Sequence, residues 1–234
     1  MIAALGVAEL KLLLRNRTAA ALAVLMPLAM GAYFALTADG EPSGWTTVVT
    51  LQLLFSLGFT VYVTVTTALT ARRQDLYLKR LRTGAASDAV VLTGVLLPVV
   101  LLGLAQAVVL LGISVAAGAP LPARPELLAL AVVGGVALSC AAGVCTSGVT
   151  NTAELAQITT APFFFALVIG GLLGSAGPVD VRLFLVPGSG LGTLVGAAWG
   201  GPTGQVGPAA LSVALWVVAA TGLAARFFRW DPRT

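Results

Sequence analysis

Nine Asp and Glu, thirteen Lys and Arg, two cysteines and no histidine are the charged and ligating side chains of this 234-residue chain. Their placement limits what they can do. Glu9, Asp39, Glu41, Asp75, Asp88, Glu126, Glu154, Asp180 and Asp231 all flank long apolar segments or lie in the turns between them. None sits in the middle of such a segment, where ion-coupled carriers keep their ionisable groups. Without histidine, HExxH zinc motifs, histidine acid–base catalysis and Ser-His-Asp nucleophiles are excluded. Cys140 and Cys145 share one apolar segment. Five positions apart on a helix, they point in different directions, so no disulfide framework is expected. The two lysines, Lys11 and Lys79, lie outside any GxxxxGK[ST] pattern, so there is no phosphate-binding loop. The chain is expected to be no enzyme in its own right and to bind no metal or cofactor. Any uphill work must be powered by a partner.

Two groups of side chains remain. Residues 71–88, ARRQDLYLKRLRTGAASD, are the one long polar stretch between apolar segments, and they hold Arg72, Arg73, Lys79, Arg80 and Arg82. Asp75, Leu76, Tyr77, Leu78, Lys79, Arg80, Leu81 and Arg82 read as two helical turns. Asp75 and Lys79 form an i,i+4 pair of the favourable order. Leu78 and Leu81, with Leu76 or Tyr77, offer an apolar edge to a groove on a soluble partner. Thr83 and Gly84 stop the helix, and Ser87 or Asp88 caps the next one. A solvated basic loop lying on anionic lipid would have the same composition. The second group is Gln52, Ser56, Thr60 and Thr64, spaced by four and so on one slowly drifting helix face. These are candidates for lining a translocation path. Hydroxyls bonded back within a packing helix are the other reading.

The elements that must position these groups are membrane spans. The chain is 58% hydrophobic and 9% charged with a mean hydropathy of +0.99, where a soluble domain carries about 25% charged residues. Apolar runs of about eighteen residues or more recur, long enough to cross ~30 Å of hydrocarbon as helices. No segment alternates as a barrel strand would. The expected fold is an all-α polytopic membrane protein, a single transmembrane domain over 1–234. Its six transmembrane helices fall at about 18–36, 45–70, 89–117, 126–149, 155–174 and 206–225. Pro27 marks a kink in the first, and Trp45 suits an interface at the start of the second. Gly135, Ser139, Gly143 and Ser147 let another backbone approach the fourth closely. Phe163, Phe164 and Phe165 in the fifth read as packing or lipid-facing.

Outside the spans, residues 2–16 mix Glu9, Lys11 and Arg15 with Leu10, Leu12, Leu13 and Leu14, which fits an amphipathic interfacial helix. No cleavable signal is expected there. Residues 175–204 are apolar but broken by Pro178, Pro187 and Pro202, with Gly188, Gly192, Gly196 and Gly200 four apart. They read as an extracellular, partly re-entrant helical hairpin, tolerable at depth only where protein or a cavity surrounds it. With both termini and the turns 71–88 and 150–154 cytoplasmic, all of the thirteen basic residues except Arg124 and Arg182 lie inside, as the positive-inside rule requires. The net charge of +4 therefore reports orientation rather than a nucleic-acid partner.

In combination these segments resemble the type 2 ABC-transporter permeases, the membrane subunits of daunorubicin-resistance-like exporters. ELKLLLRNR, with Glu9, Lys11, Arg15 and Arg17, resembles the family's connecting helix. LKRLRTGAASDAVVLTG, residues 78–94, resembles its coupling segment, with Ala85 or Ala86 where the family often has proline. Residues 177–201 correspond to its extracellular hairpin. The resemblance implies a bacterial plasma-membrane protein working as a dimer of permeases, a homodimer or a pair with a similar chain, on two separately encoded cytoplasmic ATPases, which would hold ATP and Mg. It further implies export of a hydrophobic drug, antibiotic or lipid-like substrate. An ATP-independent secondary carrier and a non-transporting membrane assembly factor are the alternatives.

Overall fold

The computed structural model describes residues 2–38, 42–76, 87–228 and 230. Most of the expected coupling segment, residues 77–86, lies outside them, as do the acidic positions Asp39 and Glu41. A bilayer offers backbone amides no hydrogen-bond partner, so an apolar chain satisfies them within helices. Among the described residues there is no strand. The helices are α1 (Ile2–Arg15), α2 (Arg17–Leu36), α3 (Gly44–Gln74), α4 (Asp88–Ala116), α5 (Pro125–Val149), α6 (Ala156–Ser175), α7 (Ser189–Ala198) and α8 (Val206–Phe227). All but α1 and α7 are long and apolar enough to cross a membrane. This is a multi-pass helical membrane protein.

α3 is the axis of the bundle. Of its most apolar stretch 78% is buried, against 22% for α2 and for α8. Leu57, Val61 and Val65 of α3 join Leu138 of α5, Leu167 of α6 and Leu191 and Leu194 of α7 in one core. The small residues of α5 turn toward this axis. A methyl group at Gly135 would strike Leu57, and one at Gly143 would strike Val65 and the Tyr62 carbonyl. The stripe therefore packs within the chain. Trp45, at the start of α3, is 3% exposed and packs with Ala35, Val48 and Ala119. Of the three consecutive phenylalanines, Phe164 meets Phe55 edge-on and Phe59 at a tilt, Phe163 meets Tyr62, and Phe165 is exposed.

Two spans are widened by π turns, at Ala21–Leu25 in α2 and Ser56–Val63 in α3. Pro27 follows the first. Lacking an N–H, it leaves the Ala23 carbonyl without its usual i+4 donor. Beyond α6, a 3-10 turn at Val181–Leu185 leads into α7 through Gly188, whose φ of +92° is the left-handed conformation glycine adopts freely. α7 has ten residues, about 15 Å of helix, too short to span. It is enclosed by α5, α6 and α8. The approach to α6 is so close that a methyl group at Gly192 would overlap the Gly171 carbonyl.

Candidate functional site

One end of the bundle gathers α1, the ends of α3 and α5, and the turn before α6. Asn16 makes the corner between α1 and α2: its extended backbone (φ −85°, ψ 100°) interrupts the helix, and its Oδ1 accepts from the Ala19 amide at 3.1 Å. α1 lies against α4 and buries Gly6 and Glu9 with part of Leu13. This face repeats at i, i+3 and i+7, with a carboxylate at its centre. Glu9 meets Arg72 of α3 as a fork: Arg72 Nε donates to Oε1 at 3.0 Å and Nη2 donates to Oε2 at 2.7 Å. Planar bidentate pairing of this kind fixes orientation as well as charge. The next residue, Arg73, is fully buried and its Nη2 donates to the Thr150 carbonyl at the end of α5. Gln74 Oε1 then accepts from the Ala153 amide at 2.9 Å. Three consecutive side chains thus tie the root of the charged loop to α1 and to the turn between α5 and α6. Hydrogen bonds from its own backbone amide and from Thr152 hold the exposed Glu154 carboxyl below the usual range. A groove of about 770 Å³ runs between these parts, with Glu9, Arg15 and Arg72 on its polar side and Leu22, Val95 and Val99 deeper.

The charged residues expected in the connecting helix divide accordingly. Glu9 faces inward, while Lys11, Arg15 and Arg17 are exposed. In the loop, Asp75 closes α3, its amide donating to the Ala71 carbonyl at 3.0 Å. Leu76, with φ +56°, turns the chain away. Tyr77, Leu78, Lys79, Arg80, Leu81 and Arg82 are outside the described residues.

The stripe on α3 lies at the middle of the bundle and is buried: Gln52, Ser56 and Thr60 are each at most 2% exposed and Thr64 is 6%. The bonds of Gln52, Ser56 and Thr60 run sideways to other helices, not back along α3. Gln52 Nε2 donates to the Gly31 carbonyl at 2.9 Å, and Ser114 Oγ donates to Gln52 Oε1 at 2.8 Å. Gln106 Oε1 accepts from Ser56 Oγ at 2.9 Å and sits against Thr60 Oγ1. Gln106 Nε2 donates to the Val24 carbonyl at 3.1 Å. The Thr60 hydroxyl also reaches the Ala23 carbonyl at 2.7 Å, the oxygen that Pro27 orphans. Thr64 alone bonds within its own helix, to the Phe59 carbonyl at 3.0 Å across the π turn, and edges the 770 Å³ groove. Gln106 and Ser114 were not singled out from sequence. The signal was there: they are the polar side chains in the second half of an otherwise hydrocarbon span.

At the opposite end, Arg124 Nη1 donates to the Ala197 carbonyl at 2.7 Å and Trp199 Nε1 to the Pro120 carbonyl at 2.9 Å. These bonds fasten the α4–α5 turn to the end of α7. Gln205 pairs with both backbone groups of Val179, and Ser212 Oγ donates to the Phe184 carbonyl at 2.8 Å. Among the described residues, no three His, Cys, Asp or Glu side chains converge as a metal site would require.

No protein-family model matches the chain, and no curated protein matches it.

Proposed function

We propose that this chain is the membrane-spanning permease subunit of an ATP-driven exporter of the type 2 ABC kind. It works as a dimer on two separately encoded cytoplasmic ATPases and moves a hydrophobic drug, antibiotic or lipid-like compound out of a bacterial cell. The observation that carries this reading is the Glu9–Arg72 fork. A soluble motor that pushes on residues 71–88 needs a stiff connection into the membrane, and two rigid helices meet at the loop's root through a bidentate ion pair. α3 then runs unbroken from that root to the far end. The sequence itself has no nucleotide site, which leaves the energy to a partner. Gln, Ser and Thr supply the polar groups at the middle of the bundle. They carry no charge for an ion gradient to work on, which favours ATP drive over a secondary carrier. Orientation follows the basic residues, with α1, residues 71–88 and the α5–α6 turn cytoplasmic.

The test is co-expression with ATPases encoded beside the gene. Affinity capture of this chain is expected to bring down one of them and to support ATP-dependent export by reconstituted vesicles. The triple change Lys79→Glu, Arg80→Glu and Arg82→Glu is expected to abolish coupling. Uptake by the chain alone under an ion gradient, or coupling untouched by the triple change, refutes the proposal.

A further inference from the structure

A lateral cavity of about 360 Å³ lies between α4 and α5, floored by α3. Its floor is made by the buried Val49 and Leu53 of α3, with the buried Leu110 of α4 beside them. One polar side chain, Gln52, reaches it, and both ends of its amide are engaged, by Gly31 and Ser114. Ala107 and Ala129 leave room on the facing helices, and Pro122 and Pro125 close one end. Val108 and Val133, on the flanks of two spans, line its open side and are 71% and 61% exposed. In a membrane this cavity opens on hydrocarbon.

Its chemistry selects the occupant. Water gains no hydrogen bonds there, and apolar cavities stay dry. Left empty, the walls would forfeit their dispersion contacts, at a cost that grows with cavity volume. Small-molecule sites orient polar ligands with a few spare polar groups, and this lining has none to spare. We propose that one acyl chain of a bilayer phospholipid occupies this groove and completes the packing of α3, α4 and α5. The inference rests on the membrane-spanning fold alone and stands or falls separately from any ATPase.

Two measurements test it. First, protein purified in detergent and stripped of loosely held lipid is analysed by native mass spectrometry. It is expected to keep one phospholipid per chain. Ala129→Phe, which fills the groove, lowers that occupancy by roughly tenfold, whereas Leu215→Phe on the exposed face of α8 leaves it unchanged. Second, the unaltered protein is placed in nanodiscs of phosphatidylethanolamine and phosphatidylglycerol carrying a diazirine on the acyl chain. Labelling is expected to concentrate on α4 and α5 around Ala107 and Ala129. Equal labelling of the α8 face at Leu211, Leu215 and Val218 overturns the proposal, whatever Ala129→Phe does to folding. So does a disulfide formed between two copies at Val108→Cys, or displacement of the label by an exported compound.

Discussion

Removing one half of the Glu9–Arg72 fork tests whether α1 and the loop root move as one body. The Glu9 side chain is 5% exposed and that of Arg72 17%, so the pair is neither a surface bridge nor a sealed one. Exposed pairs contribute about 0.2–1 kcal/mol, and stripping one partner from a buried pair costs about 3–5 kcal/mol. Glu9 is almost fully buried, yet the open groove beside the pair lets water reach the Arg72 guanidinium when the carboxylate is removed. Glu9→Ala should therefore cost about 2 kcal/mol, between those bounds. Arg72→Ala should cost about the same, and the double variant little more than either, a coupling of about 1–2 kcal/mol. Reversible unfolding in bicelles gives all four corners of the cycle. Singles that add to within about 0.5 kcal/mol would show that the fork carries no mechanical load. If the exporter proposal holds, Glu9→Gln also lowers ATP-coupled export while ATPase capture is kept. Loss of capture would instead place Glu9 in the docking surface.

Three further expectations concern other parts of the bundle. Gln106→Leu deprives the Ser56 and Thr60 hydroxyls and the Val24 carbonyl of a partner at once, and should cost about 1–3 kcal/mol. Adding Ser56→Ala should restore part of that loss in the same unfolding assay, since one buried hydroxyl fewer is then left unpaired, whereas adding Thr60→Val should not, because it uncovers the Ala23 carbonyl. Gly192→Ala forces a methyl group onto backbone that cannot swing aside, so it should destabilise by about 1–3 kcal/mol or more, read as earlier proteolysis of the segment joining α6 to α8. An NMR titration should place the Glu154 midpoint below that of an ordinary glutamate, and Thr152→Val should raise it. A depressed acid stabilises the turn above its unfolded pKa and loses that contribution as pH falls through the folded one.

The spans were legible because twenty-residue hydrocarbon runs have one structural outcome in lipid. Their ends were less so: α3 was expected to stop near Thr70 but continues to Gln74, since Arg72 and Arg73 find partners in helical geometry. The close packing of Gly135 and Gly143 followed from their spacing. The inward turn of Glu9 did not, because it depends on Arg72, sixty-three positions away, and nothing local distinguishes a solvated carboxylate from a paired one. The same holds for Gln52, Ser56 and Thr60. Their spacing located a shared face, but which helices accept their hydrogen bonds depends on two π turns and a proline-orphaned carbonyl in another span.

α7 has a consequence for how the chain is made. Its ten residues cannot be released into lipid as a span, and its faces are completed by elements on either side in sequence. Gly192 rests on α6, already synthesised, but Gly190 rests on Ala209 of α8, and the 3-10 turn before it is held by Ser212. Until α8 leaves the ribosome and inserts, α7 has half a binding site and its backbone must be sheltered by the insertion machinery. The packing of α7 is therefore completed by α8, and a chain stalled before residue 206 should be cleared by membrane proteases as unfinished.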